Sequence, residues 1–267
     1  MAPSSQLDHL ILLVPSIARE SLDWLSAAGF DLIPGGQHAD GLTENVLISL
    51  KDGVYLELIA FTAGTGPDKR SAHWWGKKKD GWIDWSLAPA PSTAKARVDG
   101  INDASGGAVY DQPVAGGRLN KQGQHVEWEV AFPIVGGDAG ERGRRPFWCE
   151  DISERGWRVP ERLSDQPNGA SGISSLILLS APSQLDRYLS LLAPILAASS
   201  SGSFHQYELD HPIGEGKVKV FVREASTDAE KQWVEERGEG LYEVGVSTGK
   251  GEKTTIGEAE GARIVFE

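Results

Sequence analysis

The sequence predicts an α+β fold built from repeated βαβββ modules. Apolar runs of strand length greatly outnumber helical patterns, and the same order of elements begins three times along the chain. The copies share little sequence, so what repeats is the supersecondary unit rather than its residues.

The first copy begins with an apolar strand that ends at Pro15. Ser16 is a suitable cap for the helix that follows, because its hydroxyl can accept from the first backbone N–H groups. The Asp52-Gly53 pair is a hairpin signal between the last two strands. We expect strands at 7–14, 30–33, 45–50 and 54–61 and a helix at 16–28.

The second copy repeats this order. Pro91 and Thr93 open a helix, and Gly106-Gly107 end it. Alternation of apolar and polar residues over 125–132 is typical of a half-buried strand. We expect strands at 82–87, 108–114, 124–132 and 146–151 and a helix at 91–104.

A third start at Ile173 suggests a further module. We expect strands at 173–179, 204–210, 217–223, 241–247 and 262–266 and helices at 183–198 and 227–237. The predicted division is a paired domain at 1–165 and an additional, degenerate module at 166–267. Segments 62–80 and 136–145 are rich in Gly and charge and are predicted to be surface loops.

Composition excludes several classes of partner. There are 38 acidic and 26 basic residues and a net charge of -12, which would repel nucleic acid or an anionic membrane. No apolar run reaches the roughly eighteen residues of a membrane span. A lone Cys149 fits a reducing compartment, and the N-terminus lacks a secretory pattern. We expect a cytoplasmic monomer or homodimer that binds a small molecule.

Two polar residues interrupt otherwise apolar strands, His9 in the first strand and Glu57 in the fourth. Each pays a desolvation cost unless it is hydrogen-bonded, ion-paired or bound to a metal. From the residues alone, His9 can be a hydrogen-bonded core histidine and Glu57 a carboxylate paired with an arginine. The nine tryptophans are either core residues or the walls of an apolar pocket.

Several motifs resemble the glyoxalase-like domain of the vicinal oxygen chelate superfamily. The resemblance covers residues 6–180 and rests on four short segments. These are Leu7-Asp8-His9, Gly35-Gly36-Gln37-His38 with Asn45 after it, Tyr55-Leu56-Glu57-Leu58-Ile59, and Arg145-Pro146-Phe147-Trp148-Cys149-Glu150-Asp151. It implies that paired modules form a curved, cup-like mixed sheet around a divalent metal, with helices on the outside.

The resemblance also implies roles for particular residues. Metal ligands would come from first and fourth strands, at His9, Glu57 and Glu150. His38 and Glu57 would be catalytic. The metal would stabilise an enolate or oxyanion, which suits lyase, isomerase or ring-opening chemistry. The candidate substrate-binding residues are Asn45, Tyr55, Trp85, Trp128 and Trp148.

The chain departs from the family pattern at two places. Glu150 stands where relatives often carry His, and Gln166 begins a segment that reads His-Pro-x-Gly-Ala in relatives. Two alternatives to a metal enzyme therefore stay open. One is a metal-free binding or sequestering protein, and the other is a cofactor-free enzyme that uses His38 and acidic residues as acid and base.

Overall fold

The structure is a computed structural model that describes residues 5–120, 122–135, 141–196, 205–249 and 253–267. Its N-terminal part contains two βαβββ units. The first consists of β1 (Gln6–Leu13), α1 (Arg19–Ala27), β2 (Ile33–Gln37), β3 (Thr43–Ser49) and β4 (Tyr55–Phe61). After α2 (Pro67–Ala72), the second consists of β5 (Gly81–Ala88), α3 (Ala94–Ala104), β6 (Val114–Leu119), β7 (His125–Ala131) and β8 (Phe147–Asp151).

These eight strands form a curved mixed sheet in the order β2-β3-β4-β1-β5-β8-β7-β6. The first strands of the two units, β1 and β5, pair antiparallel at its centre, and β4 and β8 flank them in parallel. The two edge strands of this sheet, β2 and β6, come into contact. Arg118 on β6 donates from Nη1 to the carbonyl of Gly35 on β2 at 3.0 Å. The concave face is therefore a cup, as the resemblance implied.

The remaining strands extend the sheet. The elements that follow β8 are α4 (Arg155–Arg158), β9 (Gly172–Ser180), α5 (Leu185–Leu192), β10 (His205–Asp210), β11 (Lys217–Glu224), α6 (Asp228–Arg237), β12 (Gly240–Ser247), β13 (Thr254–Ile256) and β14 (Arg263–Phe266). β9 and β12 pair antiparallel, with β11 and β14 parallel beside them, which repeats the central pairing of the cup. A boundary near residue 165 remains a prediction.

Alternation along β1 separates the main core from the cup. Leu10 and Leu12 face a core that includes side chains of α1, α3 and α5, whereas Ile11 and Leu13 face the concave side. The helices therefore pack against the face opposite the cup. None of the helices in the described ranges is both long and apolar enough to cross a membrane.

Several element bounds differ from the predictions. β2 lies later and includes Gly35 and Gly36, with a register shift that an edge strand tolerates. β6 also lies later and includes Gly116, where a Cβ would stand 2.3 Å from the Trp128 indole nitrogen. The short α2, α4 and β13 were not predicted. The predicted helix end near Ala198 and strand start at 204 lie outside the described residues.

Candidate functional site

The cup holds a cavity of about 290 Å³. One side of its lining is polar and comes from β1, β3, β4 and the β2–β3 connection, while aromatic side chains form the other side. The polar members that the resemblance singled out are His9, His38, Asn45, Tyr55 and Glu57. Trp128, a predicted substrate-binding residue, also lines the cavity.

A bulge in β1 brings Asp8 and His9 together. Leu7 pairs with Leu87 and His9 with Ser86, so Asp8 is the extra residue. The bulge lets neighbouring side chains meet, and His9 Nδ1 lies 2.6 Å from Asp8 Oδ2. Both side chains are almost completely buried.

Glu57 is the centre of the polar side. Asn45 Nδ2 donates to its Oε1 at 2.6 Å. His9 Nε2 lies 3.5 Å from Oε2, and His38 Nε2 lies 3.5 Å from Oε1. The other ring nitrogen of His38, Nδ1, is 2.7 Å from Thr43 Oγ1, which fixes the ring. One carboxylate is therefore contacted by two imidazoles and an amide.

An ion cluster lies beneath His9. Arg155 and Arg158 both bond to Asp8 and to Asp151 at the end of β8. Burial alone would raise the pKa of Asp8, but Arg155 and Arg158 hold this pKa well below its ordinary value. The buried carboxylate beside His9 is therefore ionised.

Tyr55 connects this cluster to the cavity. Its ring stacks on His9 with 4.6 Å between centroids, and its hydroxyl accepts from Arg158 Nη1 at 2.6 Å. Burial raises the pKa of the hydroxyl well above its ordinary value, so Tyr55 stays protonated. The phenol can therefore donate its own proton to a ligand oxygen.

The aromatic side of the cavity is formed by Trp74, Trp75, Trp128, Phe132 and Phe147. Trp75 and Phe147 pack against Phe132 at centroid distances of 6.2 and 4.9 Å. The Trp75 indole donates to the buried Asp84 at 2.8 Å, which fixes this wall from behind. Segment 62–80 is thus partly a cavity wall and not only a surface loop.

The donor set does not fit a metal held by three side chains. Residues alternate along β8, so Cys149 faces the cavity and Glu150 faces α3. Glu150 accepts from the backbone N–H of Ala94 at 2.7 Å, the ordinary role of a carboxylate at a helix start. Burial raises the pKa of the Cys149 thiol, which keeps it neutral. Among the described residues, no three His, Cys, Asp or Glu side chains are arranged to hold a metal ion.

Two of the predicted substrate-binding tryptophans point away from the cavity. Trp85 and Trp148 are completely buried in the main core, on the face of β5 and β8 opposite the cavity. Trp85 donates to the carbonyl of Gly143 at 3.2 Å, and Arg97 lies over the Trp148 ring. Both strands pair within the cup, so the alternation of their side chains sends these indoles into the core.

The departure at Gln166 is structural. Its side chain accepts from the backbone of Asp31 at 2.8 Å and donates to the carbonyl of Ser49 at 2.7 Å. These bonds tie the segment after α4 to the first unit. Gln166 does not line the cavity.

Sequence reasoning missed Arg158, Arg118 and Trp75. Arg158 follows the cup strands in a segment interpreted as a connection, and its partner Asp8 is 150 residues away. The one signal for it was the carboxylate of Asp8 within an apolar strand, which required a buried cation. Trp75 carried no signal beyond its place in a tryptophan pair.

Comparisons with known proteins agree with this architecture. The family model of the glyoxalase-like domain matches residues 7–196. No curated protein sequence matches significantly. A crystal structure of a hypothetical protein from Staphylococcus aureus superposes with a TM-score of 0.70 at 14% identity, covering 98% of this chain and 99% of that one.

A mutant of 4-hydroxymandelate synthase from Streptomyces coelicolor superposes with a TM-score of 0.56 at 11% identity, covering 92% of this chain and 71% of that one. At such identities these structures establish the fold alone. The family model spans most of the chain and includes the cup with its polar cluster. The chain therefore belongs to the glyoxalase-like domain family of the vicinal oxygen chelate superfamily.

Proposed function

We propose that this chain is an enzyme that moves a proton within a small, largely apolar carbonyl compound, with Glu57 as the base. The observation that carries the proposal is the Glu57 carboxylate, which borders an aromatic-lined cavity and is contacted by His9, His38 and Asn45. A buried base between imidazoles is suited to general acid–base catalysis. The donor set does not fit a three-ligand metal, and the proposed chemistry uses none.

Exposure increases from His9 to His38, which suggests a path for the proton. The side chains of His9 and Glu57 are 4% and 8% exposed, whereas that of His38 is 20% exposed. Glu57 takes the proton from the substrate, and His38 exchanges it with water. His9 Nε2 lies beside the other carboxylate oxygen and can accept a hydrogen bond from it once Glu57 is protonated.

Tyr55 supplies the acid. When Glu57 removes a proton from the carbon next to a carbonyl, negative charge develops on the carbonyl oxygen. The Tyr55 hydroxyl is held by Arg158 and has its own proton to donate to that oxygen. Where the substrate carries a carbon–carbon double bond conjugated with this enolate, return of the proton to the far carbon of that bond gives an isomer, so the step balances without an oxidant, a reductant or a second substrate.

The cavity favours a neutral ligand. In the ion cluster, two carboxylates (Asp8 and Asp151) are matched by two guanidinium groups (Arg155 and Arg158). Five aromatic side chains line the opposite side. A volume of about 290 Å³ suits a molecule at the small end of the usual ligand range.

Hydrogen–deuterium exchange tests the proposal directly. A panel of aryl and alkyl ketones, incubated with the protein in heavy water, should gain deuterium next to the carbonyl, as followed by NMR. Glu57→Gln keeps the shape but cannot act as a base, so exchange should fall roughly 10²–10⁴-fold. The matched control is Glu127→Gln, a substitution of an exposed carboxylate on β7, which should exchange like the wild type.

Metal removal separates the alternatives. Exchange should persist after treatment with a chelator and should not rise when Mn²⁺, Zn²⁺ or Ni²⁺ is added. Loss on chelation, recovery with metal, and stoichiometric metal that disappears in His9→Ala would instead establish the metal-dependent enzyme that the resemblance implied.

A second candidate function is metal-free sequestration of an apolar ligand. It is favoured by the aromatic wall, in which Trp74, Trp75 and Trp128 offer a large apolar surface to a planar molecule. Saturable quenching of tryptophan fluorescence by aromatic ketones, with no exchange by the wild type, would establish this function in place of catalysis.

A further inference from the structure

Arg158 is a buried cation at the floor of the cup. It ends the short helix α4 and is only 5% exposed. Its guanidinium donates to Asp151 from Nε and Nη2, to Asp8 from Nη2, and to the Tyr55 hydroxyl from Nη1. A planar guanidinium with donors in fixed directions is the side chain best suited to joining such partners.

The three partners lie on the strands that frame the site. Asp8 is on β1, Tyr55 on β4 and Asp151 at the end of β8. These are the first strand of the first unit and the last strands of both units. One fixed positive charge within the chain thus connects the three strands on which the resemblance placed metal ligands.

The contact with Asp8 extends to His9 through a single oxygen. Asp8 Oδ2 is 3.2 Å from Arg158 Nη2 and 2.6 Å from His9 Nδ1. Arg155 bonds to the other oxygen, Oδ1. An ionised carboxylate only accepts, so His9 carries its proton on Nδ1 and presents the bare Nε2 toward Glu57.

We propose that Arg158 is the positioning residue of this site, a cation built into the chain that fixes Tyr55 directly and the tautomer of His9 through Asp8. The inference deepens the proposed function, and its catalytic consequence rests on that function. The orientation of His9 can nevertheless be measured without turnover.

The test is the ¹⁵N NMR spectrum of the histidine rings in labelled protein. The chain has six histidines, and the signals of His9 are those that disappear from the spectrum of His9→Gln. In the wild type, His9 should be a single tautomer with the proton on Nδ1. Arg158→Met should lose this signature and give a tautomer mixture, and Arg158→Lys, which keeps the charge, should restore part of it.

Arg155→Met is the matched control, because it removes the same charge from the same ion cluster but leaves in place the contact between Arg158 and Asp8 Oδ2, the oxygen that meets His9. It should leave the His9 tautomer unchanged. An unchanged tautomer in folded Arg158→Met, or an equal loss in Arg155→Met, would overturn the inference. If Arg158→Met does not fold, the spectrum of the wild-type protein still tests the inference. A His9 proton found on Nε2 in the wild type would overturn it.

The two proposals fail in different ways. If the NMR results hold while Glu57→Gln exchanges like the wild type, Arg158 positions His9 but the proposed catalysis is wrong. If Glu57→Gln loses exchange while the His9 tautomer is the same in Arg158→Met as in the wild type, the proposed catalysis stands and the positioning role is wrong.

Discussion

Replacement of Asp84 by asparagine should make the stability of the protein less dependent on pH. Asp84 is completely buried behind the aromatic wall, and burial raises its pKa from 3.8 to about 6, despite hydrogen bonds from Trp75 and Trp85. The folded protein therefore binds a proton at Asp84 more tightly than the unfolded chain does. Between these two pKa values, the contribution of Asp84 to the free energy of unfolding falls as pH rises.

The magnitude follows from the two pKa values. A difference of about 2 units corresponds to about 3 kcal/mol when the whole window is crossed. Between pH 7 and pH 5 only part of that window is crossed, which gives about 1.3 kcal/mol.

Urea unfolding followed by circular dichroism at pH 5, 6 and 7 measures the effect. The asparagine cannot titrate, so the free energy of unfolding of Asp84→Asn relative to the wild type should rise by about 1.3 kcal/mol from pH 5 to pH 7. Asp68→Asn, a substitution at an exposed site on α2, should keep the wild-type pH dependence. A difference between Asp84→Asn and the wild type that stays constant over this range would refute the reasoning.

Three further predictions concern the cup, the main core and the N-terminus of α6. Gly35→Ala should abolish deuterium exchange in a folded protein, because its Cβ would lie 2.0 Å from the Asn45 amide that donates to Glu57; full activity would contradict this. Leu10→Ala should lower the free energy of unfolding by about 2–5 kcal/mol in urea melts, whereas Leu163→Ala, at an 81% exposed site, should change it by less than about 0.5 kcal/mol. Thr227→Ala removes the capping box of α6 and should cost about 1 kcal/mol by the same assay, and no loss would argue against the cap.

Local patterns predicted six of the eight strands of the cup to within about two residues, and misplaced β2 and β6. The Asp52-Gly53 turn between β3 and β4 was correctly identified as a hairpin, since such a turn depends only on neighbouring residues. The resemblance placed His9 and Glu57 in one site, and His9 Nε2 lies 3.5 Å from Glu57 Oε2. Their chemical roles remain predictions.

The errors at Glu150, Trp85 and Trp148 share one physical cause, which is that side-chain direction in a strand alternates with every residue. Phe147 to Asp151 contains no clear alternation of polarity, so the sequence could not decide whether Cys149 or Glu150 faces the cavity. A shift of one residue exchanged the predicted ligand for a thiol. The role of Arg158 depends on contacts across 150 residues, which no local spacing encodes.

The two βαβββ units contribute different kinds of side chain to the lining of the cavity. The first unit contributes His9, His38, Asn45, Tyr55 and Glu57, while the second contributes mostly apolar surface from β6, β7 and β8, with Arg118 at its edge. If Glu57 is the base that we propose, ligand preference and chemistry are encoded in separate stretches of the chain. Substitutions in β7 would then change which molecule is accepted without disturbing Glu57 and its partners, and such a scaffold could acquire new ligands while it keeps one reaction.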